Sequence, residues 1–185
     1  MKYRKVFYEK AFAKRLVYKG KAVSFRVDEV FLPDGKKAVR EFIDHPGAVA
    51  VLPLINRNEF VMVRQYRYPV GDITYEIPAG KLHHKNDSYL KRAEAELKEE
   101  TGYSASKFIH MIDFWPTPAF SNEGLRIYLA TGLKKGKSKP DKDEFLDVFH
   151  IKDNDALRMI LSGRIKDSKT VIAVFYYFLK IKSSL

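Results

Sequence analysis

Three carboxylates stand close together in the run Glu96-Leu97-Lys98-Glu99-Glu100. The run lies in a stretch with helix signals at both ends. Asp87 or Ser88 offers a short polar N-cap, and Gly102 suits a left-handed C-cap. Leu90, Ala93 and Leu97 recur at three- and four-residue spacing and are the expected buried face. At about 100° per residue, Glu96, Glu99 and Glu100 gather on another face. Like charges so placed repel one another and weaken a helix, so they call for a cation. Clustered oxygen ligands suit a hard ion: Mg²⁺, or Mn²⁺ in its place. A solvated acidic face balanced by Lys91, Arg92 and Lys98 would carry the same letters; the surrounding residues separate the two readings.

From Glu76 to Tyr103 the chain reads EIPAGKLHHKNDSYLKRAEAELKEETGY. This stretch resembles the Nudix box, G-x5-E-x7-R-E-U-x-E-E-x-G-U, where U is a bulky apolar residue. Gly80, Glu96, Leu97, Glu99, Glu100, Gly102 and Tyr103 match it. The distance from Gly80 to Gly102 is one residue longer than the pattern, the first Glu is missing, and Ala95 stands where the box has Arg. Arg92, one turn before Glu96, is a candidate substitute for the lost brace.

The likeness runs from about Gly20 to Lys180. Arg64-Gln65-Tyr66-Arg67, Glu76-Ile77-Pro78-Ala79-Gly80 and Thr117-Pro118-Ala119-Phe120-Ser121-Asn122-Glu123 resemble the ADP-ribose pyrophosphatase branch. So do Arg40-Glu41 and Asp143-Glu144-Phe145. Any one of these short strings is weak; five in the family's order are specific. Hydrolysis of a diphosphate needs charge neutralised on phosphate oxygens, a water deprotonated, and the two held in line. The resemblance implies Glu96, Glu100 and the backbone carbonyl of Ala79 as metal ligands, with Glu99 bridging or orienting the attacking water. It implies Arg67 as a phosphate-binding guanidinium. In an unbroken strand Arg64 and Arg67 face opposite ways, so Arg64 is left to a salt bridge or the surface. Glu144, and after it Glu123, are the loop carboxylates available as general base. Arg40 and Glu41 match positions that contact the adenosine end across a dimer, and Thr117 and Pro118 belong to the substrate loop. His83 and His84, adjacent and without a third partner, stay out of the metal site.

Composition bounds these expectations. A chain of 185 residues forms one substantial core, and no apolar run approaches the ~18 residues of a membrane span. The first residues lack the apolar centre of a signal peptide, so a cytoplasmic protein is expected. There is no cysteine, which excludes disulfides, thiol chemistry and Cys-ligated zinc. The net charge of +11 raises nucleic acid as a partner, but the lysines and arginines are scattered and not interleaved with aromatics. A surface of this sign would also draw in a small polyanion, and charge alone does not choose between the two. The resemblance favours a nucleoside-diphosphate substrate over nucleic acid, with no membrane partner.

The elements that must hold these groups follow from pattern. Residues 1–45 are expected as an antiparallel β subdomain, with strands at Ala22 to Phe31 and Lys37 to Ile43 around a Pro33-Asp34-Gly35 turn. Its aromatics and partial alternation suit a dimerisation surface, as the family branch implies. Residues 46–185 are expected as the hydrolase domain. Ala48 to Ile55 reads as a strand buried on both faces, and Phe60 to Tyr68 as its hairpin partner. Thr74 to Ile77, Lys107 to Trp115, Leu125 to Thr131 and Phe145 to Ile151 are further strands, and Trp115 to Gly124 is a candidate binding loop. Lys134 to Lys142 reads as a flexible basic connection. Asp153 is expected to cap a short helix through Leu161. Asp167 or Ser168 starts a last helix whose Val171, Val174, Phe175, Phe178 and Leu179 form a core stripe. The order argues an α+β fold with a mixed sheet covered by helices, and the resemblance makes it the Nudix αβα sandwich. The implied activity is metal-dependent cleavage of ADP-ribose to AMP and ribose 5-phosphate. The alternatives are another nucleoside-diphosphate sugar or dinucleotide as substrate, or a catalytically weak module that binds nucleotide or RNA.

Overall fold

The computed structural model describes residues 7–139 and 145–184. The chain separates into two compact units: Met1–Pro46 with Thr117–Glu123, and Gly47–Pro116 with Gly124–Leu185.

In the smaller unit β1 (Lys10–Lys19), β2 (Ser24–Phe31) and β3 (Lys37–Asp44) form an antiparallel sheet in that order. The turn between β2 and β3 closes through the Gly35 and Leu32 backbones, with Gly35 at φ 84°. The sequence pattern does not single out β1. Every residue in it except Ala11 is exposed, so no buried face imposes a period of two. Residues 117–123 make a turn in which Phe120 and Ser121 N–H donate to the Thr117 carbonyl. That turn joins the end of β3: Ile43 N–H donates to the Phe120 carbonyl, and Asn122 bridges the His45 N–H and the Asp44 carboxylate.

The larger unit contains β4 (Ala48–Asn56), β5 (Glu59–Arg67), β6 (Asp72–Glu76), β7 (Ala79–Lys81), α1 (Tyr89–Thr101), β8 (Tyr103–Phe114), β9 (Leu125–Lys135), β10 (Leu146–Lys152), α2 (Asp153–Leu161) and α3 (Ser168–Tyr176). Its sheet has the order β10-β5-β4-β9-β8, with β6 on β5 and β7 on β4. The β4–β9 pairing is parallel and the others are antiparallel, so the sheet is mixed. The apolar run of β4 explains the layers. Val49 and Val51 pack with Ala93 and Leu97 of α1, while Ala48, Ala50, Leu52 and Leu54 pack with Ala156 of α2 and Ala173 and Val174 of α3. Alternate residues of one strand thus feed two cores, and helices cover both faces: an αβα sandwich.

Several local expectations change. Leu90, expected on the buried face of α1, is 41% exposed; Glu96 and Glu100 are the residues that turn inward with Ala93 and Leu97. Ser88 is the N-cap, its Oγ accepting from the Lys91 N–H, and Gly102 is left-handed at φ 76°. The basic connection after β9 is pinned along its first part. Gly136 N–H donates to the Gly102 carbonyl at 2.8 Å and Lys139 N–H to the Glu99 carbonyl at 2.9 Å. A Cβ on Gly102 would lie 2.7 Å from the Ser138 nitrogen, so glycine also admits this strap. Asp153 does not cap α2: Lys152 holds the cap position without a side-chain bond, and Asp153 is the first helical residue. In α3, Asp167 caps by accepting from the Thr170 N–H. The buried face there is Lys169, Thr170, Ala173 and Val174, followed by Tyr177 in a π turn over Tyr177–Ile181, whereas Leu179 is exposed.

Candidate active site

The acidic helix sorts its three carboxylates by depth. Glu96 and Glu100, one turn apart, are almost excluded from solvent, while the Glu99 side chain is half exposed. Arg92 reaches both Glu96 and Glu99 and so makes the brace foreseen for it. Glu96 rests on Gly80: a Cβ built there would lie 1.3 Å from Glu96 Oε1 and 2.0 Å from its carboxyl carbon. Gly80 keeps an ordinary backbone angle, so the glycine is required by the room the carboxylate occupies. Ala79 precedes it in β7, paired with Ala50 of β4.

This arrangement suits a divalent cation of a particular kind. Among the described residues no three His, Cys, Asp or Glu side chains converge into a complete cage. Mg²⁺ rarely needs one: it keeps several waters and takes one or two carboxylates together with substrate phosphates. Two nearly buried glutamates beside a glycine cradle supply that partial, oxygen-only donor set.

Arg67 lies at the end of β5 and grips Glu76 of β6 with two hydrogen bonds, Nε to Oε1 and Nη2 to Oε2, each 2.8 Å. The register of β5 against β6 sets Arg67 opposite Asp72 and Val63 opposite Glu76. Glu76 is 2% exposed and also accepts from Thr74 Oγ1 and from Lys169 Nζ, each at 2.5 Å. Burial alone would push the Glu76 carboxyl up; Arg67, Lys169 and Thr74 outweigh it and hold the group down at about 2. The bond to Glu76 raises the Arg67 pKa most, against the cost of burial, and Glu100 and Asp167 add smaller attractions. Arg67 therefore stands in the electrostatic field of the acidic helix. It also lines a cavity of about 820 Å³ with Glu76, Arg164, Lys166 and Lys169. Arg64 pairs with Asp147 at 3.0 Å on the exposed surface, as the strand parity implied.

The remaining predicted residues belong to other parts of the chain. Arg40, Glu41, Thr117, Pro118 and Glu123 belong to the smaller unit. Arg40 pairs with Glu9, its Nε 2.8 Å from Oε2, and not with Asp28 opposite it on β2. Glu123 lies 3.8 Å from His45 Nδ1, and the Thr117 carbonyl organises the turn of its loop. Glu144 lies outside the described residues. His83 and His84 are exposed, and His84 N–H donates to Asp87. Sequence reasoning missed Lys169 and gave Glu76 no role of its own. The available signal was a lysine inside the apolar stripe of the last helix, four residues before Ala173 and eight before Tyr177.

Sandwich architecture, two interior glutamates on one helix and a guanidinium held by a buried carboxylate define an α+β class of protein with a charged interior site. Comparison with known proteins makes that class specific. The model of the NUDIX domain matches residues 44–170, and the chain belongs to the Nudix family of hydrolases. It is 43% identical over 174 residues to a methanol dehydrogenase activator of Bacillus methanolicus, covering 93% of this chain and 94% of that one. It is 40% identical over 174 residues to an ADP-ribose pyrophosphatase of Bacillus subtilis, with the same coverage. A second ADP-ribose pyrophosphatase, from Mycobacterium tuberculosis, is 33% identical over 160 residues, covering 85% of this chain and 77% of that one. A crystal structure described as an ADP compounds hydrolase superposes with a TM-score of 0.81 over 95% of each chain at 16% identity, which bears on the fold.

Proposed function

We propose that the protein is an ADP-ribose diphosphatase, dependent on Mg²⁺ or on Mn²⁺ in its place, that releases AMP and ribose 5-phosphate. The observation that carries the reading is the meeting, in one compact unit, of the buried Glu96–Glu100 pair, the Gly80 cradle and Arg67 charged within reach of Glu100's field. The names of the two relatives from Bacillus subtilis and Mycobacterium tuberculosis support ADP-ribose as the substrate.

In this reading Glu96 and Glu100, with the Ala79 carbonyl, would hold the cation, which when bound would supply charge neutralisation at phosphate oxygens and a more acidic water. Arg67 binds the diphosphate through the Nη1 edge that Glu76 does not engage, and Glu76 fixes the plane of the guanidinium. Glu99, half exposed at the mouth of the pair, orients the water. Glu144 or Glu123 takes its proton. Residues 1–45 form a homodimer surface, and Arg40, Glu41, Thr117 and Pro118 contact the adenosine end. Support for the surface comes from Phe7, Tyr8, Val17 and Tyr18, each more than half exposed within this segment.

A panel of diphosphates, assayed with Mg²⁺ and with chelator, tests the reading. ADP-ribose should be turned over fastest, only with the cation, and Glu100→Gln should remove the activity. Faster turnover of another nucleoside-diphosphate sugar or of a dinucleotide would overturn the substrate. The relative from Bacillus methanolicus favours a second reading, an activator of a dehydrogenase. Adding the protein to purified methanol dehydrogenase and measuring its rate separates the two.

A further inference from the structure

We propose that Lys169 is a positioning residue for diphosphate recognition, acting through Glu76 to set the orientation of Arg67 and the net charge around it; this rests on the assignment of Arg67 to the substrate phosphates. Lys169 sits in the first turn of α3, 9% exposed, and its Nζ donates to Glu76 Oε2 at 2.5 Å and to Asp167 Oδ1 at 2.8 Å. A lysine buried this deeply normally loses its proton easily. Here burial is more than offset by Asp167 and Glu76, and the ammonium stays charged.

Charge and geometry lead to the same role. Four groups share this corner: the Arg67 and Lys169 cations, and the Glu76 and Asp167 anions. With Lys169 the set is neutral, so Arg67 meets a diphosphate without an excess of negative charge behind it. Without Lys169 the set carries one net negative charge, which opposes an anionic ligand. The same loss leaves one lobe of the Glu76 carboxylate to Arg67 Nη2 alone and loosens the fork that aims the guanidinium. A second bond ties α3 to the residue that follows β6: Thr170 Oγ1 accepts from the Ile77 N–H at 2.9 Å and donates to Asp167 at 2.6 Å. Lys169 touches no reacting atom in this account. Its effect reaches the ligand only through Glu76 and Arg67.

Calorimetric titration with ADP in the presence of chelator, on the full chain, reads this out without turnover. Lys169→Met should weaken ADP binding about tenfold or more, and Lys169→Arg should recover most of that loss. In an Arg67→Ala background the same Lys169→Met change should cost less than about twofold, because its route to the ligand is already cut. If Lys169→Met fails to fold, Lys169→Gln, which keeps an N–H toward Glu76 without the charge, carries the same expectation. ADP affinity within about threefold of wild type in a folded Lys169 variant overturns the proposal, as does an undiminished effect in the Arg67→Ala background. Failure of the wild-type protein to hydrolyse ADP-ribose, with the ADP-binding pattern as expected, would instead overturn the substrate assignment and leave the role of Lys169 standing.

Discussion

Replacing Glu76 by Gln removes one charge at a buried carboxylate that accepts from Arg67, Thr74 and Lys169, and nearly preserves its shape. In the folded protein that carboxyl titrates at about 2, against an ordinary 4.5. By linkage the difference corresponds to about 3 kcal/mol of stability at neutral pH. The sign follows from the direction. A folded-state pKa below the unfolded one gives a contribution that is whole above about pH 4.5, shrinks as pH falls through the interval, and is lost below about 2. Glu76→Gln, which behaves as a permanently neutral side chain, should be about 3 kcal/mol less stable than wild type at pH 7. At pH 3 the gap should have narrowed to about 1.5 kcal/mol. Urea unfolding of both proteins at a series of pH values measures it. The variant leaves Arg67 and Lys169 without their shared anion, so ADP-ribose turnover should fall with stability. A gap that is constant with pH, or below about 1 kcal/mol at pH 7, would refute the reasoning, because Glu76 would then not be the linked group.

Other perturbations probe the remaining parts. Gly80→Ala would place a methyl group on the Glu96 carboxylate and should reduce activity about a hundredfold with the circular dichroism unchanged; full activity would show that the cradle is irrelevant. Ala95→Arg should leave kcat no higher than wild type, since Arg92 already braces Glu96 and Glu99; a clear rise in kcat would sink that account. Light scattering should give a homodimer, and Arg40→Ala should raise KM for ADP-ribose more than it lowers kcat; a fully active monomer at micromolar concentration would exclude a shared site.

How far these features could be read from letters depended on whether a single strong pattern governed them. The β4 run is apolar at every position from Ala48 to Leu54, and its short length and valines fit a strand covered on both faces, so the central layer was legible. Ser88 and Gly102 bound α1 because their chemistry satisfies helix ends directly. The three glutamates were visible as a cluster, but their depth was not: periodicity put Leu90 inside, whereas the helix is rolled so that Glu96 and Glu100 face inward. The last helix shows the same limit. Its buried face begins with Lys169 and Thr170, polar residues that an apolar-stripe reading passes over, and the stripe inferred from sequence was displaced toward the exposed Leu179. Pairings that join distant segments, such as Glu76 with Lys169, leave no local trace at all.

The strap from β9 to the end of α1 bears on why an acidic helix can be acidic at that end. A helix carries partial negative charge at its carbonyl terminus, and Glu96, Glu99 and Glu100 all lie in its last two turns, where anions are disfavoured. Gly136 and Lys139 bring two backbone N–H donors to that terminus, and the segment that does so is lysine-rich: Lys134, Lys135, Lys137 and Lys139. The strap thus works against the helix dipole and lets carboxylates accumulate where the helix alone would repel them. Lengthening or neutralising it should therefore act at a distance on the glutamates, weakening the helix end that carries them before it alters the sheet.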